Sequence, residues 1–247
     1  MCQLLVTIYW SFLIQIVNYV AGQVASLTSS NNFINFCLTV PNLPITNGKQ
    51  IATGSCNPAP MGSIPSSDNM PSAKFVSPSN GDTSIVENTK ILIRMAINNL
   101  QPGAFVNPDE NYFAAPQQLN NQGKIIGHSH VVIETLSSLD QTTPTDPKKF
   151  AFFKGLNGAA VNGVLTVEVT AGLPAGDYKL SSINTAANHQ PVLVPIAQHG
   201  SLDDAVYVST IISIPPSEPL YQLTRFLQFT VKPKGATPAP ATGKPVR

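Results

Sequence analysis

Apolar side chains fall on every second position of residues 90–98, so that Ile91, Ile93, Met95 and Ile97 share one face. A period of two is the mark of a half-buried strand. Comparable runs predict strands at 124–135, 164–169, 177–184 and 192–197. Turn-formers such as Leu173-Pro174-Ala175-Gly176-Asp177 separate these runs as a hairpin or sandwich corner would. Phe150-Ala151-Phe152-Phe153-Lys154 fits either a strand or a surface turn that buries aromatic side chains. Helical periodicity is absent after the first residues of the chain. Several short strands punctuated by Pro and Gly predict an all-β fold, an antiparallel β-sandwich of immunoglobulin-like type.

The ends of the chain have a different texture. Residues 4–17 are mostly apolar and give way to Val20-Ala21-Gly22. A membrane-spanning helix needs about 20 apolar residues, so a run of this length reads as the core of a secretory signal, residues 1–22, with cleavage after Gly22. Met1-Cys2-Gln3 lacks the basic residues usual before such a core, and an apolar N-terminal helix or strand is the other reading. Residues 23–32 then form a linker, and residues 33–231 a single secreted domain. The tail at 232–247, Pro- and Ala-rich with scattered Lys, is too poor in apolar side chains to repay its ordering entropy and is expected to be disordered. No hydrophobic run ends the sequence, so no lipid anchor is expected and no membrane anchor after signal cleavage.

Of three cysteines, Cys2 would leave with the signal. Cys37 and Cys56 remain, an even number that an oxidising compartment would join across a loop rich in Pro, Gly and Asn; two buried free thiols are the alternative. The region 38–82 is accordingly expected to be irregular and pinned by a disulfide.

All four histidines lie between positions 128 and 199. His128 and His130, two apart on a predicted strand, point to one face about 7 Å apart. His189, in Asn188-His189-Gln190-Pro191, is the natural third member of a metal site, with Asp203, Asp204, Glu134 or His199 as candidates for a fourth. Imidazole suits Zn or Cu. The competing reading makes these histidines polar residues that satisfy loop backbone where strands meet turns.

Other chemistry finds little support. Only 11% of residues are charged and the net charge is +1, too little to steer the chain to nucleic acid or anionic lipid. There is no Gly-x-Ser-x-Gly elbow and no Asn-x-Ser/Thr sequon. Acids such as Asp109, Glu110, Asp203 and Asp204 sit in turn-like sequence, where adjacent carboxylates are usually solvated. The one tryptophan, Trp10, falls in the signal, which weakens a carbohydrate-stacking role and leaves Tyr112, Tyr178, Tyr207 and several Phe as platforms.

Asn35-Phe36-Cys37, Thr53-Gly54-Ser55-Cys56-Asn57, Ala114-Ala115-Pro116-Gln117, Ile126-Gly127-His128-Ser129-His130-Val131, Phe150-Ala151-Phe152-Phe153-Lys154-Gly155, Asn188-His189-Gln190-Pro191-Val192 and Ala197-Gln198-His199-Gly200 together resemble a widespread group of small secreted fungal proteins. That group has no established activity and often carries a misleading ribosomal-protein label. The resemblance spans about residues 33–207 and implies a fungal, extracellular protein. Two departures stand out. Relatives in that group carry a second cysteine pair where this chain has Ser181 and Ala205. They also pass directly from the Asp-Asp strand to Phe-Thr-Val, whereas here residues 208–228 separate Tyr207 from Phe229-Thr230-Val231. That segment reads as a retained intron; a genuine loop insertion, which surface loops tolerate cheaply, is the other reading. Sequencing the transcript decides between them.

Two functional readings follow. The first is a secreted protein with a binding or cell-wall-associated role, its ligand a wall polymer or a protein. The second is a Zn or Cu metalloprotein using His128, His130 and His189, with an acid such as Glu134 or Asp204 tuning the ion or a bound water.

Overall fold

The computed structural model describes residues 29–212. The signal segment, the tail and most of the 208–228 segment lie outside the described residues. Within them the chain is mostly β, built as two sheets, one of them curled into a half-barrel.

The smaller sheet has the order β1-β3-β7, with β1 at Ser72–Ser77, β3 at Ile91–Asn98 and β7 at Val164–Val169. The alternation in β3 does what its period requires: Ile91, Ile93 and Met95 point inward and are buried, while Leu92 and Arg94 face out. The larger sheet has the order β2-β9-β8-β5-β4, from β2 (Ile85–Val86), β9 (Ala205–Ile211), β8 (Gly176–Ala186), β5 (Ile125–Leu136) and β4 (Leu100–Gln101). A further strand, β6 (Phe152–Leu156), pairs with β5, so the Phe150–Lys154 ambiguity resolves to a strand that begins at Phe152. The long strands pair antiparallel as expected. Only the two-residue strands β2 and β4 pair in parallel, with β9 and β5.

One core joins the sheets. Phe75, Ile93, Met95, Leu165 and Val169 of the smaller sheet pack with Val131, Ile133, Leu180, Val206 and Val208 of the larger. Burying each of these side chains is worth about 1.5–3 kcal/mol. Val208 and Thr210 occupy inward positions of β9, so the strand runs through the Tyr207–Val208 junction. Direct joining of Tyr207 to Phe229-Thr230-Val231 would place Phe and Val at the same two inward positions, so the alternation accommodates either transcript. Ser181 and Ala205 are direct cross-strand partners on β8 and β9, the relation a disulfide between those positions needs.

Two expectations are corrected. Residues 192–197 form no strand. Pro191 and Pro195 remove two backbone donors, and the amide of buried Gln117 takes the place of a neighbouring strand: its Oε1 accepts from Leu193 N at 2.9 Å and its Nε2 donates to Leu193 O at 3.1 Å. The 38–82 region contains regular structure, because β1 lies within it. A single inward Phe75 gives β1 too little apolar alternation to be read from sequence; β3 supplies its register.

The Cys37–Cys56 disulfide is present, with a sequence separation of 19. Replacing both cysteines with serine is expected to cost about 3 kcal/mol through the freed loop. A lower urea midpoint reads this out, and an unchanged midpoint would show that the bridge does not constrain the unfolded chain.

Candidate metal centre

On β5 the odd positions Val131 and Ile133 enter the core, which turns the even positions His128, His130, Val132 and Glu134 to the other face of the sheet. Opposite His128 on β8 stands Thr185, and opposite His130 stands Ile183. At the His128 end the sheet face is covered by the chain that follows β4. That segment runs beside the sheet, with Ala104 N donating to Gly127 O at 3.0 Å and Val106 N to Ala187 O at 3.1 Å. It leads into a one-turn helix, α1 (Pro108–Asn111), started by Pro108 and capped by the Asn107 side chain on Asp109 N.

β8 ends at Ala186, where a tight turn carries His189. Its φ of 70° lies in the left-handed region. Two backbone bonds hold the turn, His189 N to Ala186 O and Ala186 N to Gln190 O, each 3.0 Å. The flanking amides fix it to the covering segment: Asn188 Nδ2 donates to Asn111 O at 2.9 Å and Gln190 Nε2 to Ala115 O at 2.7 Å. The Asn-His-Gln sequence is therefore two clamps around an aimed ring.

These constraints bring His128, His130 and His189 together, with one ring nitrogen from each lying within 4.8 Å of the others. His128 Nε2 is 3.1 Å from His130 Nε2 and 3.2 Å from His189 Nδ1. Two ligands on a tetrahedral Zn at about 2.0–2.1 Å stand about 3.3 Å apart. The opposite nitrogens meet backbone carbonyls of the covering segment: His128 Nδ1 is 3.1 Å from Ala104 O, and His189 Nε2 is 2.8 Å from Val106 O. A carbonyl only accepts, so each of these nitrogens carries the proton, and the lone pairs of His128 Nε2 and His189 Nδ1 face one another. The Thr185 hydroxyl lies 3.2 Å from His128 Nε2.

His128 is fully buried and His130 half-buried. Burial, then the neighbouring histidines, lowers the pKa of His128 to about 4, although the Ala104 carbonyl opposes the shift. Burial, then His189, brings His130 to about 4. Both rings are thus neutral and available as ligands well below neutral pH. Aromatic rings border the group: Phe105 by His128, Tyr112 by His189 and Phe153 by His130.

None of the four candidates for an additional ligand joins the cluster. Glu134 shares the face but lies two pleats beyond His130, paired with Lys179 at 2.6 Å and bonded to Thr145. Burial pushes its carboxyl up, but these partners outweigh burial and hold it below the usual range. Asp203 accepts from Ser182 Oγ at 2.9 Å and Asn184 N at 2.8 Å, and burial raises its pKa. Asp204 ties the two sheets, accepting from Phe75 N at 2.7 Å and Lys74 Nζ at 3.0 Å. His199 is exposed and contacts Gly200 O. Sequence reading also missed Ala104, Val106 and Thr185. The first two act through backbone carbonyls and leave no side-chain signal, and Thr185 is identified only by strand register.

Gly127 permits the close approach that sets this geometry. A Cβ there would lie 1.9 Å from Thr185 O, beside His128 and its cross-strand partner. Gly127→Ala is expected to destabilise the fold by about 1–3 kcal/mol and to weaken metal binding together with it. Thermal melts and metal titration on one preparation check this, and unchanged stability would sink the argument.

A family model described as the CLU5d N-terminal domain matches residues 73–211, which contain β1 from its second residue, β2 through β9 and the three clustered histidines. The chain is also similar to "Pathogenicity cluster 5 protein d" of Colletotrichum graminicola, 44% identical over 185 residues. That alignment covers 74% of this chain but 38% of the relative, so the chain spans well under half of that protein's length. The fungal kinship implied by the motifs is met at this level, and the chain belongs to the CLU5d N-terminal domain family.

Proposed function

We propose that this chain is a metal-binding domain of an extracellular fungal protein, in which His128, His130 and His189 hold Zn or Cu. One observation carries the reading. The Ala104 and Val106 carbonyls fix the tautomers of His128 and His189 so that two lone pairs converge 3.2 Å apart, an arrangement that a cation relieves. Depressed basicity argues against a proton in that role. An all-nitrogen donor set suits Zn and Cu(II) over hard cations. Metal content measured by mass spectrometry on protein purified without chelator or nickel resin tests it. Near-stoichiometric Zn or Cu is expected, and protein that neither carries nor takes up either ion overturns the reading.

The extracellular setting draws support from the Cys37–Cys56 bridge and the apolar run at 4–17. Culture filtrate from a strain expressing the full chain should contain protein beginning at residue 23; retention in the cell lysate would overturn it. The C. graminicola relative is named as a pathogenicity-cluster protein, and we propose a role in pathogenicity for this chain as well.

A further inference from the structure

We infer that the face running from the histidine group to the loop before β6 is a binding platform for an uncharged polysaccharide chain. Two observations meet there. The first is a line of rings: His130 packs on Phe153 with centroids 5.1 Å apart, and Phe153 on Phe150 at 5.8 Å. Phe153, 45% exposed, stands opposite Val132 and so shares the histidine face, and Phe150, 53% exposed, lies in the loop just before β6. The second is a cleft of about 510 Å³ at the far end of this line, in which Phe150 forms one wall and Thr135, Gln141, Thr143, Asp146 and Lys149 supply polar groups.

The chemistry of the lining selects the ligand class. Lys149 and Asp146 carry opposite charges 4.0 Å apart, so the cleft has no net charge to attract an ion. Hydroxyl, amide, carboxylate and ammonium groups beside a ring offer donors and acceptors around a flat apolar surface. A sugar ring has the complementary form, with a C–H face to stack and hydroxyls at its rim. His130 and Phe153 lie on the pleated face of β5 and β6 and Phe150 carries the ring contacts on into the preceding loop, which suits a ribbon-like polymer laid along them. A globular partner would seek a broad apolar patch. The absence of tryptophan outside residue 10 is thus offset by Phe150 and Phe153.

This inference rests on the extracellular setting proposed above and not on the metal. The test is co-sedimentation of the full secreted chain with insoluble chitin, β-1,3-glucan and cellulose, each with EDTA and with Zn. Binding to at least one polymer in both conditions is expected. The Phe150→Ala, Phe153→Ala double variant should bind at least tenfold more weakly, in EDTA and in Zn alike. Should that variant fold poorly, amide shifts of Thr135, Thr143 and Lys149 on titrating the parent with a soluble oligosaccharide of the same linkage replace it. No sedimentation with any polymer overturns the proposal, as does full binding by a folded double variant. So does capture of peptides, in place of glycans, that depends on the same two rings. Failure of the metal reading would leave sedimentation intact.

Discussion

His128→Ala and His130→Ala are each expected to lower Zn or Cu affinity by more than about 100-fold, because loss of an outer partner alone costs 10–100-fold and these remove a ligand. The pair matters. His128 is fully buried against the covering segment, so its truncation also leaves the Ala104 carbonyl without a donor and opens a void. His130 is half-buried beside Phe153, and its loss should leave the fold standing. Asn188→Ala is the positioning control: it keeps all three ligands but frees the turn from Asn111 O, and a 10–100-fold loss is expected. Competition titration with a chromophoric chelator reads all three. Metal at 100 times its dissociation constant should stabilise the parent by about 2.7 kcal/mol and His130→Ala hardly at all. Equal affinities for parent and His130→Ala would reduce the cluster to polar residues satisfying loop backbone.

The part of this site legible in the sequence was its side chains. A period of two put His128 and His130 on one face, and the Asn-Pro flanks of His189 marked a turn near a strand end. Three histidines with a local pattern are visible in that way. Their convergence is not, because it depends on β5 lying beside β8, and register between strands 50 residues apart is set by the whole core. The acids looked eligible from sequence because nothing there reveals that Asp204 is spent on β1 or Glu134 on Lys179. The fold follows the same division. Strongly alternating segments, β3, β5, β7 and β8, were legible within a residue or two. β2 and β4 have two residues each and β1 turns only Phe75 fully inward, so all three owe their conformation to partners, and 192–197 was read as a strand because a side-chain amide cannot be foreseen to stand in for one.

Acid should destabilise the metal-free protein through the same rings. His128 and His130 titrate near 4 when folded and near the ordinary 6.5 when unfolded. Above pH 6.5 both states are neutral at these sites and nothing is lost. Between 6.5 and 4 the unfolded chain binds protons that the folded one refuses, so stability falls as pH falls. Below 4 the folded rings protonate too and the loss levels off. Two shifts of this size, reduced by roughly half for partial solvent screening and mutual coupling, amount to about 3 kcal/mol. Urea unfolding of chelator-treated protein at intervals from pH 7.5 to 3.5 measures it. The His130→Gln variant should lose part of that slope, and a parent whose stability is flat from 6.5 to 4 would refute the buried neutral pair. Saturating metal should steepen the dependence, because the folded state then surrenders its ion as the ligands protonate while the unfolded chain has none to lose. A site that only satisfies backbone would show the first dependence without the second, so the difference between the two titrations isolates the metal.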